Sequence, residues 1–271
     1  MKELVSAISA PVVRLSRGQA ALEQPDEVAV EEPLEIRVEG ASVAVVMRTP
    51  GHDRELAAGF ALTEGIVREA REIFEITSCL TTERPTDNVV HIALTDPRRF
   101  DAARLSRHVF SSSSCGICGK ATIEAAMQLF PPVREAPRVR TEMLLMLPKK
   151  LRAAQETFQR TGGLHACALF DSLGELILLR EDVGRHNALD KLIGHELLAK
   201  HLPLDDRVLL LSGRVSFEMT QKALAAGIGI IAAISAPTSL AVEFARANRQ
   251  TLVGFLRGET MNVYAGEERV A

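Results

Sequence analysis

Val208-Leu209-Leu210-Leu211-Ser212-Gly213-Arg214 is the stretch that sets the fold. Four aliphatic residues in a row, bounded by small and polar ones, suit a strand buried on both faces of a central sheet. Ser216 then caps a helix that stops at Gly227, and Ile228 to Ile234 is a second apolar run. Ser235-Ala236-Pro237-Thr238 opens the next helix, with proline near its start. Thr251 to Leu256 makes a third run, followed by Arg257-Gly258-Glu259 and a last short strand, Met261 to Tyr264. The alternation predicts an α/β chain whose Val208, Ile228 and Thr251 strands are neighbours in one sheet, joined by right-handed crossovers.

Ligands of such sheets settle beyond the carboxyl ends of the strands. Here those ends carry Ser212, Gly213 and Arg214, then Ser235 to Thr238, then Arg257 and Gly258. Taken singly, each segment is explained more simply by capping and surface charge. Together they place small residues, helix starts and two arginines on one edge, a chemistry that suits a nucleotide-like anion without a Walker or GxGxxG sequence.

Upstream, Thr141 onward is helical to about Arg160 with an interruption expected at Pro148, and Thr161-Gly162-Gly163 ends it. Leu164 to Phe170 is a strand, Asp171 to Gly174 a turn, and Glu175 to Leu179 the partner strand. Arg180 to Asn187 is a polar link into a helix that runs to about His201. Within this link Asp182, Arg185 and His186 form a cluster that either fixes a loop or serves a site. His165 stands at a strand entry where a base or ligand would be exposed, though a lone histidine there is more often structural.

The first part of the chain is read as an irregular leader over residues 1–25, for lack of periodicity. Leu34 to Val38 and Val43 to Met47 then form a hairpin. Asp53 is placed to cap a helix running to Thr63, and Ile73 to Leu80 and Asn88 to Leu94 are two more strands. Asp101 to Phe110 is read as a short helix. The resulting division is a leader over 1–25, an α+β part over 26–135 and an α/β part over 136–271, the last two compatible with one continuous domain.

Ser111-Ser112-Ser113-Ser114-Cys115-Gly116-Ile117-Cys118-Gly119-Lys120 has no large packing side chains and is read as a loop, with an amphipathic helix over Ala121 to Phe130. A nearby helix start and Lys120 would favour the thiolate of Cys118, below the ordinary pKa of about 8.5. Three readings stay open on spacing alone. The thiols are unremarkable surface cysteines, or a dithiol redox pair, or half of a zinc site completed from Cys79, Cys167 and His165.

Composition narrows the classes. With 271 residues and 46% hydrophobic content the chain can bury a large core, and 4% aromatics with no tryptophan makes that core aliphatic. A net charge of −3 argues against nucleic-acid binding by general charge. Four cysteines do not make a secreted disulfide framework, no signal peptide is read at Met1 to Leu4, and no apolar stretch is long enough to span a bilayer. A cytoplasmic location is expected.

The segments Arg48 to Phe60, Ser114 to Gly119, Thr161 to His165, Arg180 to Lys191, Ser212 to Glu218 and Ser235 to Arg257 resemble, in order, the motifs of the FdhD/NarQ family. The resemblance implies a three-layer α/β sandwich similar to the cytidine deaminase fold, with a mixed central sheet and a smaller N-terminal β-containing part. It implies an accessory sulfurtransferase for formate dehydrogenase. Such a protein takes sulfur as a persulfide from a cysteine desulfurase and passes it to the molybdenum or tungsten cofactor in its bis-molybdopterin guanine dinucleotide form, for which GDP is a mimic. Cys115 would bear the persulfide, with Cys118 as its neighbour in relay. Phe255, Leu256, Arg257, Gly258, Glu259 and Thr260 would contact the cofactor, alongside Ser212, Gly213, Arg214, Ser235 and Thr238. His165, Asp182, Arg185 and His186 would support the site, and no tightly bound metal of the protein's own is expected. The partners implied are the desulfurase and the dehydrogenase catalytic subunit, with no nucleic acid or membrane; a homodimer is left open. The alternatives are a cofactor-binding chaperone without sulfur chemistry and a zinc-binding deaminase-like protein.

Overall fold

A computed structural model describes residues 5–18, 21–78, 88–101 and 129–271. The three apolar runs are parallel neighbours: β9 (Val208–Leu211), β10 (Ile230–Ala233) and β11 (Thr251–Arg257). Every residue of β9 and β10 is buried, as an unbroken apolar sequence requires. They form the middle of a six-stranded sheet of order β12-β11-β10-β9-β7-β8. The flanking strands β7 (His165–Phe170), β8 (Leu176–Asp182) and β12 (Thr260–Ala265) run antiparallel to their neighbours.

Side chains alternate across this sheet. Ala166, Ala168, Phe170, Val208, Leu210, Ile230, Ala232 and Val253 pack on one helix, α2 (Thr141–Ala154), through Met143, Leu144, Leu147 and Leu151. Cys167, Leu169, Leu209, Leu211, Ile231, Ala233 and Leu252 face the other way. They meet α4 (Arg185–Leu198), α5 (Phe217–Ala225) and α6 (Ser239–Ala247). The result is three layers, helix, mixed sheet and helices.

Beyond α4 lie α1 (Asp53–Thr63) and a second sheet. Its strands are β3 (Glu32–Val38), β4 (Ala41–Arg48), β5 (Ile73–Ser78) and β6 (Val89–Leu94), in the order β4-β3-β6-β5. Leu34, Ile36, Val90 and Ile92 of this sheet share one buried cluster with α1, α4 and the large sheet, so the described residues of 26–135 and of 136–271 close on a common core. The contact between α1 and α4 is backbone to backbone. A Cβ added at Gly59 would lie 1.9 Å from the Asp190 carbonyl oxygen, and one at Gly194 would lie 1.8 Å from that of Glu55.

Four expectations are corrected. The irregular leader expected over residues 1–25 is overturned by the described residues of that span, because β1 (Ala7–Arg14) and β2 (Leu22–Ala29) form an antiparallel ribbon in which Pro11 faces Pro25. Most of the ribbon's side chains are exposed or half-buried, so no alternation marks it; Glu27 is tied to Arg160 of α3 (Glu156–Thr161). Helix α2 runs through Pro148 and breaks instead at Gln155. Burial of Leu144, Leu147 and Leu151, all at 0% exposure, outweighs the proline's cost of about 3 kcal/mol. Asp53 does not cap α1: the N-cap is His52, with φ 59°, and the Asp53 carboxylate takes both Nε and Nη2 of fully buried Arg48 at 2.9 Å. Finally, β8 continues through Arg180, Glu181 and Asp182, where the sequence predicts the polar link, because these polar residues have buried or half-buried partners. The expected Asp101 to Phe110 helix, the cysteine loop and the helix after it lie outside the described residues, save for their flanks.

Candidate functional site

The carboxyl ends of the three parallel strands are laced together by backbone. Ile234 N donates to Leu211 O at 3.0 Å, Val215 N to Ala236 O at 3.1 Å, Thr238 N to Val215 O at 2.9 Å and Phe255 N to Ser235 O at 3.1 Å. Ser212 to Arg214, Ser235 to Thr238 and Phe255 to Thr260 therefore form one rim. Two of its hydroxyls already serve the fold: Ser212 Oγ accepts from Ala166 N at 2.8 Å, and Thr238 Oγ1 caps α6 by accepting from Ala241 N at 3.4 Å. The Arg257 Nε donates to Ile234 O at 2.8 Å, and its guanidinium sits 5.4 Å from the Phe255 ring centroid. Phe255 holds a left-handed φ of 50° while exposing its ring, a strained arrangement of the kind found at ligand clamps. Gly258, with φ 55°, and Glu259 turn the chain into β12, and Thr260 Oγ1 donates back to Arg257 O. Leu256 is a correction: its side chain is fully buried in the core with α2 and cannot face a ligand at the rim.

Because β7 runs antiparallel to β9, its first residue reaches the same rim. His165 pairs across the sheet with Asp182, the last residue of β8, and α4 begins three residues later at Arg185. Gly213 packs closely against two of these groups. A Cβ there would lie 3.2 Å from His165 Nδ1 and 3.8 Å from Arg185 Cδ. Arg185 Nε is buried with no hydrogen-bond partner. His186 Nε2 lies 2.8 Å from Glu218 Oε2, a contact that, against burial, holds the Glu218 carboxyl below its usual range. Burial pushes the His165 pKa down, and the charges of Arg185, His186 and Arg214 push it further, against Asp182 alone. Burial and the nearby Arg214 lower that of Arg185 as well. The rim thus concentrates positive charge around a half-buried, preferentially neutral imidazole.

Asp182 belongs to the frame of this site. Its carboxylate is fully buried, pairs with Lys191 Nζ at 2.7 Å and accepts from Thr49 N, Gly184 N and Asn187 Nδ2. Lys191 in turn donates to Thr49 O at 2.8 Å, and Asn187 to Met47 O at 2.7 Å. This clasp ties the start of α4 to the loop before α1, and it joins two of the sequence motifs noted above. Thr49, Lys191, Asn187 and Glu218 were not singled out by sequence. Their signal was membership of polar runs flanking apolar strands, with nothing to show which distant run each would meet.

Cys167, one of the cysteines considered for zinc, is buried in the apolar core, its Sγ 3.7 Å from Arg185 O and its pKa driven far up by burial. Among the described residues no group of three or more His, Cys, Asp or Glu is arranged to hold a metal ion. Cys79, Cys115 and Cys118 lie outside the described residues.

The family model described as the FdhD/NarQ family matches residues 29–271. A sulfur carrier protein FdhD of Streptomyces avermitilis is 50% identical over 270 residues, covering 96% of this chain and 94% of the relative. One from Mycobacterium tuberculosis is 46% identical over 266 residues, covering 95% and 96%. The crystal structure of a protein described as a formate dehydrogenase accessory protein from Desulfotalea psychrophila superposes with a TM-score of 0.77 at 24% identity, covering 98% of this chain and all of the other, and so shares the fold. The chain belongs to the FdhD/NarQ family.

Proposed function

We infer that this protein is a sulfur carrier that serves formate dehydrogenase. The Cys115 thiolate attacks the terminal sulfur of a cysteine desulfurase persulfide, forming a new S–S bond at Cys115 and expelling the desulfurase thiolate. Cys118 assists as the neighbouring thiol. The acceptor substrate is the molybdenum or tungsten cofactor in its guanine dinucleotide form, loaded in the cytoplasm before insertion into the dehydrogenase. The deaminase-like reading of the sandwich belongs with this assignment.

The observation that carries the reading is the convergence of His165, Arg185, Arg214 and the Phe255 to Thr260 hairpin on one rim, in a chain whose relatives at 46–50% identity are named as sulfur carriers. The donor set fits an anionic dinucleotide. Arg185 Nε is buried and lacks a partner, Arg214 and Arg257 are exposed beside it on the rim, and the exposed Phe255 ring offers a face on which a base can stack. Clustered cations also favour the thiolate form of any thiol brought to them.

The test is incubation of the purified chain with a desulfurase and radiolabelled cysteine. Wild type should retain reducible label and Cys115→Ala should retain none, with both binding GDP alike. Label held at wild-type level by Cys115→Ala removes the assignment. Activation of the client enzyme by a Cys115→Ala, Cys118→Ala double variant would favour the cofactor chaperone instead.

A further inference from the structure

The rim groups differ in what the fold has already asked of them. Ser212, Thr238 and Arg257 each make hydrogen bonds that complete strand ends or caps. The cations around Gly213 are placed otherwise. Arg185 Nε is buried and unpartnered, a state that costs about 1–3 kcal/mol unless an acceptor arrives. Gly213 packs directly on these groups: a Cβ at residue 213 would press on the His165 ring at 3.2 Å and meet Arg185 Cδ at 3.8 Å. Helix α4 begins at Arg185 with Gly184 as N-cap and no side-chain cap, so its positive end adds to the same place.

We propose that His165, Arg185 and Arg214 hold a compact, doubly charged oxyanion, and that His165 takes up a proton when this group binds. The proposal rests on the sulfur-carrier reading and names the part of the acceptor that this corner of the rim recognises. Two parts of the acceptor offer such chemistry, the pyrophosphate, whose two phosphates carry one charge each, and the oxo-metal end. The imidazole faces Arg185 and His186 of α4 and Arg214 of the loop after β9, with Asp182 of β8 as the opposing charge and Glu218 of α5 partly neutralising Arg185 and His186. A second cation is disfavoured there. A dianion seated between the guanidinia offsets their field, and the imidazolium becomes the favoured form. Binding therefore tightens as pH falls through neutrality, by up to about tenfold per pH unit for one linked proton.

Calorimetric titration of molybdate and, separately, of GDP into the full chain tests this between about pH 6.5 and 8.5. Arg185→Gln and Gly213→Ala should each weaken molybdate at least about tenfold, the loss of one charge-assisted bond. His165→Asn should bind molybdate, which stays a dianion over this range, with no dependence on pH. Unchanged GDP affinity in Arg185→Gln assigns the site to the oxo-metal end, whereas a matching loss of GDP affinity assigns it to a phosphate. Folded Arg185→Gln and Gly213→Ala proteins that bind both ligands as wild type does would overturn the site, and a pH slope retained in His165→Asn would overturn the proton's address. Persulfide loading measured on the same samples separates the two failures. A chain that loads sulfur but ignores both anions overturns the oxyanion site, and one that binds anions but takes no sulfur overturns the carrier reading.

Discussion

Glu55 sits where three segments meet. Its carboxylate accepts from Arg180 Nε at 2.6 Å and Nη2 at 2.9 Å, and lies 3.0 Å from His195 Nδ1 and 3.3 Å from His52 Nδ1. Burial alone would raise its pKa, but the hydrogen bonds from His52, Arg180 and His195 hold it well below the carboxylate range. A depressed folded-state pKa contributes stability that is fully present above the unfolded value, about 4.3, and is lost as pH falls below it. Glu55→Gln should therefore cost about 2–3 kcal/mol at neutral pH and flatten the acid limb of the stability curve. Urea melts at a series of pH values check this, and curves that stay parallel to wild type down the acid limb would refute it. None of these partners was legible from the sequence. Glu55 and Arg180 stand 125 positions apart, and a charged residue in a polar run gives no sign of which other run it will meet. His165, Arg185 and His186 were legible as candidates because each borders a strong apolar strand or helix signal, although only the antiparallel placement of β7 shows that they share a rim with Arg214.

Among the elements, the pairing of α1 with α4 carries the tightest geometry. Gly59 and Gly194 bring the helices so near that a methyl group on either would overlap backbone of the other. Backbone cannot rotate aside as a long side chain can. Gly194→Ala should thus destabilise by roughly 1–3 kcal/mol or more despite alanine's better helix propensity, which would act the other way by up to about 1 kcal/mol. Thermal melts of the variant against wild type decide the sign, and an unchanged or raised melting temperature would mean that the helices can part without loss. The strands show which elements a sequence can announce. β9 and β10 were plain because burial on both faces demands unbroken aliphatic runs. The β1–β2 ribbon was not, since its largely exposed faces and its two facing prolines remove the alternation that marks a strand. Helix α2 was seen but misjudged at Pro148, because local propensity is blind to the three leucines that dock it on the sheet.

At the scale of the molecule, the division into residues 26–135 and 136–271 does not correspond to two cores. Leu34 and Ile92 of the smaller sheet, Ala57 and Leu62 of α1, Leu189 and Ile193 of α4 and Leu211 and Ile231 of the large sheet belong to one buried cluster. The Asp182–Lys191 clasp fastens the same junction at the rim, with Thr49 on one side and α4 on the other. Separating the parts would expose the inner face of the smaller sheet and leave a buried ion pair open to water at one end. The apolar surface exposed carries most of the cost, with the Thr49 hydrogen bonds to Asp182 and Lys191 lost as well, so the two sheets should open together rather than in sequence. Native-state hydrogen exchange read by peptide provides the measurement. Amides of β3 and β6 should open with a free energy within about 1 kcal/mol of those of β9 and β10, and both should fall in parallel in a Lys191→Met variant. Exchange from β3 and β6 at a much lower denaturant concentration than from β9 and β10 would show that the smaller sheet folds as its own unit. The rim would then be built by the large sheet alone, and the Thr49 contact to Asp182 would be an accessory to it rather than part of its frame.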